Sequence, residues 1–265
     1  MAYDATVRDS WSARIGRAEA LAAHGGTAAS LLHFYAITLR SQARIFDALA
    51  RRRPSGALDR DVAVVRDAAR PLFDEIARRG PEPLVLAARE LTAATDDALD
   101  ETLLSYWRLP CGRSFFPKAI LQPYGEWLGQ AGVTPTDRDR PRVDHRCPRC
   151  GGLPQLSILD EGAAALESGG RQLQCANCLN RWPFRRVLCA HCGEQNEARL
   201  GYFRSEECAH LRIDSCDTCR RYLKTIDLGR LGLAVPIVDE VAGVALDVWA
   251  TEQGYEKIEL NLVGL

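Results

Sequence analysis

The sequence predicts a mainly α-helical N-terminal domain, a helical bundle, joined to small tandem modules of short antiparallel β-hairpins held by cysteines. Three observations carry that prediction. Nine of the ten cysteines in the 265 residues fall between Cys147 and Cys219, and eight of them form four Cys-x-x-Cys pairs. Upstream of Cys147, apolar residues recur at helical spacing. Between the two halves lies a polar stretch punctuated by prolines, without apolar periodicity.

The helices follow in order. Residues 11–23 mix Ala, Arg and Glu with apolar residues at helical spacing, and Gly25-Gly26 ends them. Leu31, Phe34, Tyr35, Leu39, Gln42, Ile45, Phe46 and Leu49 mark one face of a second helix. Arg51-Arg52-Arg53 suit the dipole at its C-terminal end, and Pro54 stops it. Residues 58–79 continue the pattern around an internal Pro71, where a kink or break is expected. Gly80-Pro81 is a hard boundary, and further helices are expected over 83–94, 96–107 and 116–130. Past the last cysteine pair, Ile237, Val238, Val241, Val244, Ala245, Val248 and Trp249 outline one more amphipathic helix, with Pro236 at its start and Gly254 beyond its end. The expected division is a helical domain over 1–131, a linker over 132–145, two modules over 146–186 and 187–228, and a closing helix and tail over 229–265.

The modules read as an internal duplication. Cys147 and Cys189 are 42 residues apart, as are Cys150 and Cys192; Cys175 and Cys216 are 41 apart, as are Cys178 and Cys219. Both units begin Cys-x-x-Cys-Gly, with Gly151 and Gly193 supplying a positive φ after the knuckle. Sequential pairing then gives one site from Cys147, Cys150, Cys175 and Cys178 and another from Cys189, Cys192, Cys216 and Cys219. Pairing of the inner two knuckles, or a cross-braced arrangement, stays open on spacing alone. A unit this short lies below the roughly 40 residues at which chains fold without a staple. A bound ion contributes on the order of 10 kcal/mol of folding energy. Tetrahedral thiolate sites take zinc, as in a zinc ribbon, or a single iron, as in rubredoxin, and softness does not separate the two.

Other features exclude function classes. Hydrophobic residues make up 46% and charged residues 26%, and Lys+Arg 34 against Asp+Glu 35 leaves a net charge of -1, so no global field favours nucleic acid or an anionic membrane. Residues 1–4 carry no basic segment, apolar run or twin-Arg motif, so no secretory signal is read and the cytoplasm is expected. The longest stretch free of Asp, Glu, Lys and Arg, residues 20–39, holds two histidines and two glycines and makes a poor membrane span. No P-loop, nucleophile elbow or His-Glu-x-x-His motif is present, and four cysteines close a metal site that catalysis would need open, so no enzyme is expected. Cys208 and His210 are expected as a loop thiol and a surface histidine, His191 as exposed, and Cys111 as a buried structural cysteine. His145, just before the first knuckle, is within reach of a sulfur, though nothing in the spacing requires it. Arg181, Arg185, Arg186, Arg220 and Arg221, interleaved with Trp182, Phe184 and Tyr222, suggest an interaction surface. The acidic residues nearby favour a protein partner over nucleic acid there.

The segments Cys147-Pro-Arg-Cys-Gly-Gly152, Leu173-Gln-Cys-Ala-Asn-Cys178 with Trp182, Val187-Leu-Cys-Ala-His-Cys192 and Ser215-Cys-Asp-Thr-Cys-Arg-Arg-Tyr-Leu-Lys224 resemble the FdhE family of formate dehydrogenase accessory proteins. Val238-Asp-Glu-Val-Ala242, Leu246-Asp247, Glu252-Gln-Gly-Tyr255 and Asn261-Leu262 resemble that family's closing helix and tail, and Phe116-Pro-Lys-Ala-Ile-Leu-Gln-Pro123 is similar in the helical half. The resemblance implies a cytoplasmic maturation factor that binds the formate dehydrogenase catalytic subunit and is needed for active enzyme. It implies rubredoxin-like modules whose eight paired cysteines hold two metal ions, iron natively, with zinc also plausible. It names no client-binding residue and no oligomeric state. Two other classes fit the residues alone: a rubredoxin-like electron carrier or redox sensor, and a zinc-ribbon nucleic-acid binder.

Overall fold

The structure, a computed structural model, describes residues 10–109, 114–139, 141, 143–160 and 170–264. Cys111 and residues 1–4 lie outside the described residues. Six helices build the N-terminal half: α1 (Trp11–Ala23), α2 (Ala29–Leu49), α3 (Leu58–Arg79), α4 (Glu82–Ala93), α5 (Asp96–Arg108) and α6 (Phe115–Gln130). Ser10 and Thr95 cap α1 and α5, accepting from Ala13 N and Ala98 N. Gly25 and Gly26, at φ 80° and 87°, turn the chain out of α1. α3 runs through Pro71 without a break. The helix α2 is buried on nearly every side and packs against α1, α3 and α6, which explains why its apolar stripe is broad. Leu32, Leu39, Leu72, Ile76, Trp107 and Tyr124 meet in the core of this bundle.

The polar segment after α6 is pinned rather than loose. Asp137 accepts from Leu58 N (2.7 Å) at the start of α3 and from Trp107 Nε1 (3.0 Å), so its carboxylate serves a helix N-terminus and a buried indole together. Thr136 hydrogen-bonds the Gly56 carbonyl.

The second half is one continuous sheet. β1 (Pro154–Leu159), β2 (Arg171–Cys175) and β3 (Arg181–Pro183) are antiparallel neighbours, as are β4 (Leu200–Arg204), β5 (Leu211–Cys216) and β6 (Arg221–Asp227). The two sets join through a parallel pair, β1 against β6, with Leu156 opposite Lys224 and Ile158 opposite Ile226. The strand order is β3-β2-β1-β6-β5-β4, and the short β7 (Glu256–Lys257) adds beside β6. The hairpins expected for each module are present; the parallel seam between them has no local signal in either unit.

The amphipathic run after the sheet forms two helices, α7 (Pro236–Ala242) and α8 (Val244–Glu252), instead of the single one expected. The break falls at Gly243, where a Cβ would stand 2.6 Å from Leu211 Cδ1. The Lys224 ammonium also bonds the carbonyls of Glu240 and Gly243 there. α7 is wedged between the bundle and the sheet, touching α1, α2, β1 and β6. Its neighbouring acids point opposite ways. Asp239 faces the bundle, taking Arg17 Nε (3.0 Å) and Nη2 (2.6 Å), His210 Nε2 (2.9 Å) and Val235 N (2.8 Å). Glu240 faces the sheet, bonded to Lys257 and Asn261 Nδ2 (2.9 Å), with Lys224 Nζ at 3.0 Å.

Candidate metal centre

Two groups of four cysteines come together, Cys147, Cys150, Cys175 and Cys178 in the first and Cys189, Cys192, Cys216 and Cys219 in the second. The sequential pairing is therefore the one adopted, and neither the inner-pair nor the cross-braced alternative is. Each group takes one knuckle before a hairpin and one at the end of its second strand, where Cys175 closes β2 and Cys216 closes β5.

The duplication extends to the backbone. Gly151 and Gly193 have φ of 71° and 77°, and Leu179 and Arg220, each just after the last cysteine, have φ of 54° and 56°. Cys147 N bonds Gly152 O and Cys189 N bonds Glu194 O, both at 2.9 Å. Gly151 N and Gly193 N return to Cys147 O and Cys189 O. Amides also face the sulfurs, Asn177 N to Cys175 Sγ and His191 N to Cys189 Sγ, both at 3.4 Å.

A tetrahedral ion with metal–sulfur bonds of about 2.3 Å sets its sulfurs about 3.8 Å apart. The sulfur separations here are 3.6 Å for Cys147 and Cys178, 3.4 Å for Cys150 and Cys175, 3.8 Å for Cys189 and Cys219, and 3.7 Å for Cys192 and Cys216. A disulfide needs about 2.05 Å. The donor set and its spacing thus fit a thiophilic cation in each group, and both groups could hold metal ions.

The electrostatics agree. Packed thiols are not equivalent: the other three sulfurs pull Cys147 far down, while burial with the Cys147 sulfur pushes Cys175 well up, and the sulfurs of Cys147 and Cys150 push Cys178 up. In the second group burial pushes Cys189 up to about 11. A cation among four sulfurs removes that conflict by stabilising every thiolate at once.

The surroundings of the two groups differ. The first is buried at all four cysteines; in the second Cys192 is exposed and Cys219 half-buried. α6 lies on the first group. Gln122 Nε2 donates to Ala176 O (2.8 Å), inside the Cys175–Cys178 turn, and Gln42 Nε2 donates to Gln122 Oε1 (3.1 Å). Lys118, fully buried one helical turn earlier, bonds Glu259 (3.3 Å) and the Leu260 carbonyl and feels the Cys175 charge; burial lowers its pKa. Arg138 Nε reaches the Cys150 carbonyl (2.9 Å) while its guanidinium lies over the Trp107 ring. These contacts were not anticipated, although Lys118 and Gln122, one turn apart inside the run from Phe115 to Leu128, share a face with Gly125 and offered a visible signal.

Several expected residues sit elsewhere. Trp182, Phe184 and Tyr222 are core residues: Trp182 Nε1 bonds Asp144 O (2.9 Å), Arg171 lies over Phe184, and Tyr222 Oη donates to Asp247 (2.8 Å). They offer no stacking platform for bases and no aromatic anchors to a partner. Arg220 and Arg221 pair with Asp217 and Glu256. His210 is not a surface histidine but a half-buried partner of Asp239. His191 is half-buried, its Nδ1 lacking a hydrogen-bond partner, and burial lowers its pKa. Cys208 and His145 belong to neither group. No helix among the described residues is long and apolar enough to cross a membrane.

Comparison with known proteins places this arrangement. Residues 187–263 match the family described as "FdhE, C-terminal domain". The chain is 36% identical over 156 residues to the protein FdhE homolog of Aquifex aeolicus, a stretch covering 57% of this chain and 51% of that protein. It is 27% identical over 206 residues to the protein FdhE homolog of Haemophilus influenzae (strain PittGG), covering 75% and 66%. The chain thus spans about half to two thirds of the length of these two relatives. The crystal structure of the FdhE protein from Pseudomonas aeruginosa superposes with a TM-score of 0.68 at 26% identity, covering 97% of this chain and 96% of that one.

Proposed function

We propose, from the premise that the chain belongs to the FdhE family, that it is an accessory factor for the maturation of formate dehydrogenase. It binds the catalytic subunit of that enzyme in the cytoplasm and holds one metal ion in each four-cysteine group, iron in the native protein. The observation that carries this reading is the pair of four-thiolate cages built into one sheet and docked on a helical bundle. A bound ion supplies charge neutralisation and a covalent-strength tie between knuckles; four cysteines around it leave no position for a substrate, which suits a scaffold rather than an enzyme.

The chain's own residues do the positioning. Gln122 and Arg138 fix the first cage to the bundle by its backbone carbonyls. Lys224, Lys257, Glu240 and Asp247 tie β6 and β7 to α7 and α8. The sheet and the first cage are thereby held rigid against the helices, and rigidity lowers the ordering cost of recognising a client subunit.

Deleting the gene in its native host tests the proposal. Formate dehydrogenase activity should be lost while the enzyme's polypeptides persist, and full activity in the deletion strain would reject the role. Restoration by the wild-type gene but not by a Cys147→Ser, Cys150→Ser double variant would tie the role to the first cage.

A further inference from the structure

The two cages are copies in sequence period and backbone conformation but not in surroundings, and the difference is systematic. Cys150, Ala176, Asn177 and Cys178 are buried; their counterparts Cys192, Asp217 and Thr218 are exposed and Cys219 is half-buried. The residue after the shared glycine differs as well. A Cβ on Gly152 would stand 2.8 Å from Asn177 Nδ2 and 3.0 Å from Cys175 Sγ, so only glycine lets Asn177 fold over the first cage. The second unit has Glu194 there, whose carboxylate turns outward to Thr218 Oγ1 (2.5 Å) and to the amides of Gln195 and Asn196. α6 covers the first cage, and Trp182, Phe184 and Leu173 surround it. The second is approached from two sides: Cys192 and Cys219 reach solvent, while Cys189 and Cys216 line a cavity of about 340 Å³ together with Val187, Leu200 and Tyr202.

We propose that the second cage is an exchangeable site for a thiophilic divalent ion, which an incoming ligand withdraws from the folded protein through the Cys192–Cys219 side, whereas the first cage holds its ion permanently. Ligand substitution at a four-thiolate ion would proceed by attack of an incoming donor on the ion as one metal–sulfur bond breaks, the departing thiolate taking up the proton that the incoming donor or solvent water gives up. That attack needs an open approach and a sulfur free to swing away. Cys192, exposed on a turn that no helix among the described residues covers, provides both. At the first cage the same step requires α6 to lift from Ala176 and Cys178, and local opening of packed elements slows exchange by orders of magnitude.

The inference rests on reading the cysteine groups as metal sites but not on the client. Protein loaded anaerobically with two equivalents of zinc is challenged with the chelator 4-(2-pyridylazo)resorcinol, whose colour counts the zinc released. One equivalent should leave in a fast phase and the second at least about tenfold more slowly, as for a site that opens only locally. After the fast phase, gel filtration, iodoacetamide and peptide mapping should find Cys189, Cys192, Cys216 and Cys219 alkylated and the first four protected. Release of both equivalents in one phase, alkylation of the first group ahead of the second, or failure to bind two equivalents would each overturn it. Loss of the formate dehydrogenase role alone would leave both phases in place.

Discussion

Gly125 of α6 rests directly on the backbone of Cys178: a Cβ at position 125 would stand 2.7 Å from both Cys178 Cα and Cys178 Cβ. The helical bundle and the first cage therefore touch at a point where not even a methyl group fits. Alanine is normally the better helix residue by about 1 kcal/mol, and overpacking against fixed backbone costs about 1–3 kcal/mol. Gly125→Ala should thus destabilise the protein by about 1–2 kcal/mol net and loosen the first cage. Gly129→Ala, one turn later, meets only the Arg149 guanidinium, a flexible side chain that can move aside, and should be neutral or stabilising. Thermal unfolding of both variants, with metal content measured alongside, checks the contrast.

Metal removal should act on one half of the molecule. The core around the first cage consists of its four cysteines with Leu173, Trp182, Phe184, Leu188, Ala190, Leu223 and Ile258, too small to fold a unit without its staple. The bundle core is larger and contains none of the eight paired cysteines. Chelation in mild urea is therefore expected to expose residues 146–228 to hydrogen exchange while α2, α3 and α6 keep slow amides. Equal protection in both halves after complete metal loss would contradict this.

Acid should weaken the seam between α7 and the sheet. Glu240 is fully buried, which by itself would raise its pKa, yet Lys224 and Lys257 overcome the burial and bring it from 4.5 down to about 2. Burial prevails at Lys224 and lowers it, whereas at Lys257 burial, though the largest single influence, is outweighed by Glu240 and Asp247 together, which carry it up. A depressed carboxyl contributes stability that is complete above its unfolded pKa and is lost as pH falls through the folded one, so the window here runs from about 4.5 to about 2. Glu240→Gln leaves two buried ammonium groups to share the Asp247 carboxylate and should cost about 3–5 kcal/mol at pH 7. The gap in urea midpoint between wild type and variant should then narrow as pH drops below 4.5; a constant gap would show that the carboxylate charge is not what matters.

The four-cysteine groups were legible because cysteine is a rare residue type and each knuckle is a local motif: spacing alone picked out the eight residues that come together, and the repeat period favoured the pairing found. The end of α1 was legible for the same local reason, since Gly25 and Gly26 act within one turn; the caps Ser10 and Thr95 show only in the structure. The break at Gly243 was not, because it follows from Leu211 and Lys224, residues nearly 20 or more positions away. Trp182, Phe184 and Tyr222 misled because an aromatic beside an arginine suits a surface anchor as well as a core; pairing of Trp182 with Leu173 across β2 and β3 turns it inward. Asp239-Glu240 inside an apolar run, and Lys224 inside another, signalled buried charge without naming partners.

Asp239 shows what such a buried acid holds together. It receives Arg17 from α1, His210 from the loop before β5 and the Val235 amide at the start of α7. Against its burial, His210 and Arg17 keep its carboxyl below the ordinary value of 3.8. Asp239→Asn should cost about 2–3 kcal/mol, less than the ~3–5 of a fully buried pair because Arg17 is partly exposed. Faster tryptic cleavage within α1 would accompany that loss, and unchanged cleavage would place the clasp elsewhere.

Cys208 provides the control for the assignment of ligands. It lies in the second unit, eight residues before Cys216, but packs against the apolar cluster that includes Leu211, Ile213 and Leu246 and belongs to neither four-sulfur group. Serine there removes a sulfur from a half-buried apolar contact, worth about 1 kcal/mol or less at such exposure. Cys208→Ser should therefore keep two metal ions per chain. Cys216→Ser should lower the content to one, because three sulfurs no longer close the second cage. Metal analysis of both variants, purified anaerobically, decides between four-cysteine sites and a looser thiol cluster that recruits Cys208; a fall below two in the Cys208 variant would favour the latter.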